Sequence, residues 1–375
     1  MAQAAPNAGA PPTTVIRATP RRVDIDLRSL PIEPAWKPGD PLLGNPLRFE
    51  PKGLSPRAPA SARRDPLVDR LSGPRTARAF ATPLLNFAGL TSGSQPPDTT
   101  GDVSRDHYIQ MINAGSARFA VFRKSDGALL AGPTTLAGLG TGSCATGRGD
   151  GIAIYDSLAD RWVLSEIGNA NRLCVYVSQA SDPIAGGWFA YQFPTPGLPD
   201  YPKYAVWWNA YLVTTNEDVA AVYALDRTKM LAGLPTTAQR LGAAPLPGFT
   251  FQVLTAADAD ATPPPIGSTP LFLRHRDDEE HNPGTANPNQ DFLEIFTLNV
   301  DFATPANSSL SGPTNVAVAE FDSSFCGSDA AALSCIPQTT GTALDALREP
   351  IMNRVQYRNF LDHESLIGNF VTDVD

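Results

Sequence analysis

From about residue 95 to its end, the chain is a series of short strand-like runs broken by turn residues. No other feature constrains the fold as strongly. Residues 108–113 (YIQMIN) and 117–123 (ARFAVFR) lead through Ser125-Asp126-Gly127 into 128–131. Then follow 151–156 (GIAIYD), 161–166 (RWVLSE), 173–178 (LCVYVS) and 188–193 (WFAYQF). Residues 204–208 (YAVWW) and 211–216 (YLVTTN), joined at Asn209-Ala210, read as a hairpin. The series continues with 219–225, 249–254, 270–276, 292–300, 316–321 and 365–371. No stretch carries the apolar period of a long helix; only 227–234 and 342–353 suit short ones.

Many short strands with regular turns fold as a sandwich, barrel or propeller. A loose internal repeat favours the propeller. A polar residue opens an apolar run at Asp106-His107-Tyr108, Asp150-Gly151-Ile152, Lys203-Tyr204-Ala205, Thr269-Pro270-Leu271 and His363-Glu364-Ser365. Each would open the innermost strand of a blade, with spacing stretched by outer-loop insertions such as 255–291. The same strands would also suit a sandwich. The expected fold is all-β: a β-propeller of about five blades over residues 81–375, its last blade incomplete. Residues 1–80 are expected to be a Pro-rich extended or disordered arm. Its segment 30–41 (LPIEPAWKPGDP) cannot be helix or central strand, because each proline removes a backbone donor. Trp36 is placed to tether it to the main domain.

Charge and cysteines bound the compartment and partners. A net charge of −9 repels phosphate backbones, and no basic cluster with interleaved aromatics opposes this, so nucleic acid is not an expected partner. No apolar run is long enough to span a bilayer as a helix, and a monomer is expected. The four cysteines form two sequence pairs without CxxC spacing or an accompanying His pattern, which argues against zinc. Disulfides Cys144–Cys174 and Cys326–Cys335 are expected, in a secreted or periplasmic protein. The alternative is four reduced cysteines in the cytosol. Ala2-Gln3-Ala4 resembles the small-residue site that signal peptidase leaves, so the start reads as a mature exported chain with an added Met. An ordinary Ala/Pro-rich start reads the same way.

Four segments carry a family resemblance: 96–103 (PPDTTGDV), 156–162 (DSLADRW), 199–203 (PDYPK) and 357–365 (YRNFLDHES). They resemble signature segments of a family of exported bacterial proteins described mostly as hypothetical or propeller-like, whose layout is similar to glycosidase and sialidase-like propellers. The resemblance covers roughly residues 95–375. It implies a propeller and export but no agreed activity.

In a propeller the strand-opening residues gather at one mouth of a central channel. The candidates are Asp98, Asp102, Asp106, His107, Asp150, Lys203, His363 and Glu364, with Asp102, Asp150, Lys203, His363 and Glu364 as the expected binding set. Convergent carboxylates suit Ca²⁺, for which Asp98 and Asp102 are the candidate ligands, the acid and base of a glycosidase, or hydrogen bonds to sugar hydroxyls. Asp and Gly before strands are also ordinary turn formers. The run Asp277-Asp278-Glu279-Glu280-His281 has metal-ligand types but lies in a Pro/Gly-rich loop and reads as a solvated charge run. Of Trp207-Trp208, one ring belongs in the core and the other could stack on a sugar. No nucleophile elbow, phosphate loop or dinucleotide fingerprint is present. Two functions remain: a binding protein for a carbohydrate or cell-envelope ligand, or a carbohydrate-active hydrolase with carboxylates at the channel mouth.

Overall fold

A computed structural model describes residues 13–44, 83–247, 251–281, 287, 289–323, 347 and 349–372. The chain is all-β, with many antiparallel sheets and one sheet curled as a half-barrel. The N-terminal segment contributes strands β1 (Thr14–Ala18), β2 (Arg21–Val23) and β3 (Leu43–Gly44), and β3 pairs with β4 (Ser94–Gln95). Four antiparallel meanders then follow in chain order. The first is β5 (Thr100–Val103), β6 (His107–Asn113), β7 (Ala117–Arg123) and β8 (Leu129–Thr135). The second is β9 (Ile152–Asp156), β10 (Arg161–Gly168), β11 (Arg172–Ser178) and β12 (Trp188–Pro194). The third is β13 (Asp200–Val206), β14 (Ala210–Asn216), β15 (Ala220–Asp226) and β16 (Thr236–Ala243). The fourth is β17 (Thr255–Ala259), β18 (Leu271–Arg276), β19 (Gln290–Asn299) and β20 (Ser309–Ala319), and a last hairpin, β21 (Val355–Asn359) and β22 (Glu364–Ile367), joins it through β21 running parallel to β17. Short helices α1 (Arg227–Leu231) and α2 (Asp278–His281) interrupt the strands.

Local chemistry sets these hairpins. Ala170 and Asn171, between β10 and β11, both take positive φ, the left-handed geometry of a tight primed turn. Asp126 Oδ1 accepts the Ala128 N–H in the turn to β8, and Gly127 there has φ +73°. Trp208-Asn209 is a two-residue loop, closed by the Trp207 N–H to Ala210 O bond, as the hairpin reading expects.

Side chains alternate across each strand, so the middle sheets bury both faces. Trp162 and Leu164 of β10 pack with Ile109, Phe119 and Val121 of the first sheet. Val163, between them, packs with Tyr204, Tyr211 and Val213 of the third. On the third sheet's other face, Leu212 and Val222 meet Phe272 and Phe296 of the fourth. The first strands of the sheets lie side by side in sequence: β5 beside β9, β9 beside β13, β13 beside β17, and β17 beside β21.

Residues 13–44, part of the segment expected to be an extended or disordered arm, run along the sheets and contribute strands to them. β1 pairs with β16 and β2 with β12, so each adds a fifth strand to an outer edge. Strand addition needs only backbone donors and acceptors, so the segment's polar side chains do not prevent it. Leu27 and Leu30 are buried, and beyond them the chain crosses the first sheet through Glu33 N–H to Pro133 O and Arg118 Nη1 to Pro34 O. Trp36 docks on the sheet side of this segment, its ring lying on Gly93, where a Cβ would collide with the indole nitrogen.

The Cys144–Cys174 disulfide forms as expected, tying the turn at Cys144 to β11, with both residues buried. Cys326 and Cys335 lie outside the described residues. The crosslink closes a loop with a sequence separation of 30. Its removal in a Cys144→Ser/Cys174→Ser variant is expected to cost about 2–4 kcal/mol by freeing the unfolded chain. Denaturant midpoints check this, and a loss below about 1 kcal/mol would mean that the crosslink does not constrain the unfolded state.

Candidate functional site

The first strands of neighbouring sheets bring polar side chains together. Asp102, third residue of β5, accepts from the Tyr155 N–H of the second sheet at 2.8 Å. Asp258 of β17 accepts from the Val206 N–H of the third at 2.7 Å. Arg354, just before β21, joins the two, with Nη2 2.8 Å from Asp102 and Nη1 2.9 Å from Asp258. Alternate residues share a strand face, so the same side of β21 also presents Gln356 and Arg358, which reach Asp260 at 3.1 and 3.7 Å. Asp258 is 1 % exposed, and burial pushes its carboxyl up to about 6 despite Arg354.

At the end where the first strands begin, three sheets bring polar groups together. Asn113, last residue of β6, donates from Nδ2 to Asp98 at 2.7 Å and accepts the Asp150 N–H at 2.9 Å. Asn216, last residue of β14, repeats the device by donating to Asp200 at 3.0 Å and accepting the Gln252 N–H at 2.8 Å. A terminal amide suits this corner because it donates and accepts at once. Asp150 in turn accepts the Tyr201 N–H at 3.3 Å. Lys203 of β13 sits in this acidic surround with its Nζ 3.5 Å from the Tyr201 ring centroid, and no carboxylate among the described residues pairs with it at ion-pair distance. Burial lowers the Lys203 ammonium pKa, with Asp150, Asp98 and Asp200 opposing. Burial and then the Asp150 charge push Asp98 up to about 6.

The residues expected at one mouth therefore divide. Asp98, Asp150 and Lys203 come together. Asp102 lies within a strand and is engaged by Arg354, so Asp98 and Asp102 are held by different partners and do not form the expected Ca²⁺ pair. His363 and Glu364 are exposed at the other end, where Glu364 pairs with Asn359, the last residue of β21. His363 contacts Asp362 at 2.9 Å and stacks on Phe360 there. Asp106 and His107 also lie at that end, since His107 opens β6, which runs back from the finish of β5. The reason is topological. β6, β18 and β22 are not first strands, so their opening residues face the opposite way from those of β9 and β13.

Other side chains brace the fold. Asp156 is fully buried and accepts from Leu158 and Ala159 N–H in the turn after β9, from Tyr211 Oη at 2.8 Å and from Arg227 at 2.7 and 2.9 Å. Trp207 and Trp208 both donate Nε1 to Ser268 O at 3.0 Å, with the Trp207 ring in the core and the Trp208 ring half-buried.

The acidic run after β18 is not solvated. Asp277, Asp278, Glu280 and His281 are buried, and Asp291 of β19 is 0 % exposed. Asp277 caps α2 through the Glu280 N–H and accepts both N–H and Oγ–H of Ser323. Asp291 accepts the Asp278 and Phe321 N–H groups. Oxygens of Asp277, Glu279 and Asp291 lie within 4.8 Å of one another. Burial and neighbouring carboxylates push Asp291 up to about 7 and Glu320 up to about 8. Sequence reading pointed away from this pocket because Asp291 and Glu320 are remote in the chain and a run of charges carries no mark of burial.

No family model matches the chain, and no curated protein matches its sequence.

Proposed function

We propose that this chain is an exported β-propeller binding protein that holds a polyhydroxylated ligand, a carbohydrate of the cell envelope, at the end of the axis where Asp98, Asp150 and Lys203 meet. The propeller reading is supported by four sheets in chain order, first strand beside first strand, with apolar cores between their faces. It is also supported by Arg354, which joins the last of these strands back to the first. Export is supported by the Cys144–Cys174 disulfide, since such crosslinks persist in oxidising compartments. No helix among the described residues is long and apolar enough to cross a membrane.

The observation that carries the binding site is Lys203. It is a half-buried cation whose charge faces Asp98, Asp150 and Asp200, and no carboxylate among the described residues forms an ion pair with it. Ammonium donors and carboxylate acceptors set close together suit vicinal hydroxyls, and the adjoining Tyr201 ring supplies an apolar face. The hydrolase reading finds its one favourable observation in Asp98, raised to about 6 beside Asp150, as a general acid is beside an ionised partner. Both carboxylates already accept structural hydrogen bonds, which favours binding.

Wild-type protein and Lys203→Met should be compared on an array of envelope glycans. The expected result is retention of at least one glycan class by the wild type and at least about tenfold weaker retention by the variant, at an unchanged melting temperature. Equal retention would remove Lys203 from the site. No retained glycan would remove the ligand class. Glycan cleavage that stops in Asp98→Asn would establish the hydrolase in place of the binding protein.

A further inference from the structure

We propose that Asp277, Glu279 and Asp291, with Glu320 beside them, form a binding site for a divalent cation that prefers oxygen ligands, with Ca²⁺ as the fitting ion. The site lies at the corner of the fourth sheet, after its second strand. This corner corresponds to those that Asn113 and Asn216 close in the first and third sheets. There an amide makes the link without charge. Here Asp277 accepts the Ser323 N–H in the same manner but brings a charge, and other carboxylates gather round it.

Three observations point to an ion. One oxygen from each of Asp277, Glu279 and Asp291 lies within 4.8 Å of the others. A central cation fits within that limit, and a cage of several carboxylates suits Ca²⁺, whereas Mg²⁺ keeps several waters and takes only one or two carboxylates. Next, buried oxygens remain unused. Asp278 is 4 % exposed, and while its Oδ2 accepts the Asn287 N–H, its Oδ1 has no hydrogen-bond partner, and neither do Oε2 of half-buried Glu279 and Oε2 of half-buried Glu320. Unsatisfied buried acceptors are costly, and a bound cation removes that cost. Finally, no Lys or Arg among the described residues compensates the charge. Asp277, Asp278, Glu279, Asp291 and Glu320 act on one another, and among the described residues no Lys or Arg forms an ion pair with any of them. Neighbouring Arg274 and Arg276 are both engaged with Glu294. The N–H bonds to Asp277 and Asp291 fix those two carboxylates without an ion, so the site is preorganised.

The competing arrangement is a proton shared between Glu279 and Glu320, which lie within hydrogen-bond reach. Thermal unfolding of the chelator-treated full chain separates the two. CaCl₂ at millimolar concentration is expected to raise the melting temperature by about 4 °C or more, reversibly with chelator, and MgCl₂ to do so less. Calorimetric titration with Ca²⁺ should give a saturable site. Glu279→Gln is the informative variant. Its Oε2 makes no hydrogen bond, so the variant should fold as well as wild type in chelator, and it should lose at least about tenfold in Ca²⁺ affinity. A wild type indifferent to Ca²⁺, a Glu279→Gln variant that binds as well as wild type, or a larger effect from Mg²⁺ would each overturn the assignment.

Discussion

Arg354→Met is expected to lose about 3–5 kcal/mol of stability, because it leaves a buried carboxylate without its counter-ion. The guanidinium bridges Asp102 and Asp258, and the Asp258 side chain is only 2 % exposed. Methionine retains most of the volume, so the loss reports charge and hydrogen bonds rather than a cavity. The double variant Arg354→Met/Asp258→Asn should lose clearly less than the two single variants added together, since the uncompensated charge is then gone. Acid provides a further check. Asp258 already has its carboxyl pushed up to about 6 by burial, with Arg354 opposing. Without the arginine it rises further. A carboxyl raised in the folded state contributes most below its unfolded pKa near 4, and that contribution is lost as pH rises through the folded value. The deficit of Arg354→Met should therefore be smaller at pH 4 than at pH 8. Equilibrium unfolding in urea at both pH values measures it. A deficit below about 1 kcal/mol at pH 8 would mean that water replaces the guanidinium between the two carboxylates.

The same polar contacts explain what was legible in the sequence. Strands buried on both faces read clearly, because most of their positions are apolar or aromatic: β7, β11, β14 and β15 stand within a residue or two of the runs read from sequence. The first strands β5 (TGDV), β17 (TAADA) and β21 (VQYRN) were missed. They give alternate positions to Asp102, Asp258, Arg354 and Gln356, which face one another rather than an apolar core. Without them the repeat slipped by one strand in the first and fourth sheets, and His107, Thr269 and His363 were read as openings of inner strands. In the second and third sheets the residues named do belong to first strands, Asp150 just before β9 and Lys203 as the fourth residue of β13, and the two come near each other. Residues 251–254 mislead in the converse way. Phe251, Val253 and Leu254 are buried from an irregular segment, and the strand begins only at Thr255. Of the acidic pocket only the run 277–281 stood out, and it read as solvated, because its burial depends on β19 and the residue after β20 coming back to the end of β18.

Glu166→Gln is expected to stabilise the protein by about 4 kcal/mol at pH 8 and by almost nothing at pH 4. Glu166 lies in β10, 1 % exposed, beneath the loop that Cys144 anchors. Gly147 of that loop approaches so closely that a Cβ there would collide with the carboxyl. One oxygen accepts the Ala117 N–H at 3.3 Å, and the other has no partner. No cation pairs with it among the described residues, and Tyr176 is a further buried group that its charge would oppose. Burial pushes Glu166 up to about 8 from an ordinary 4.5, with the Ala117 N–H opposing only weakly. The sign follows from which state binds the proton. Between these two values the folded protein keeps a proton that the unfolded chain has released, so stability falls as pH rises from about 4.5 to 8 and then levels off. Glutamine has the shape of the protonated acid, keeps the acceptor for Ala117, and does not titrate. The gain should therefore grow by about 1.4 kcal/mol per pH unit across that window. Urea unfolding of both proteins at several pH values traces the slope. A difference that stays constant from pH 4 to 8 would show that the Glu166 carboxylate is ionised in the fold, with water or an ion reaching it under the Cys144 loop.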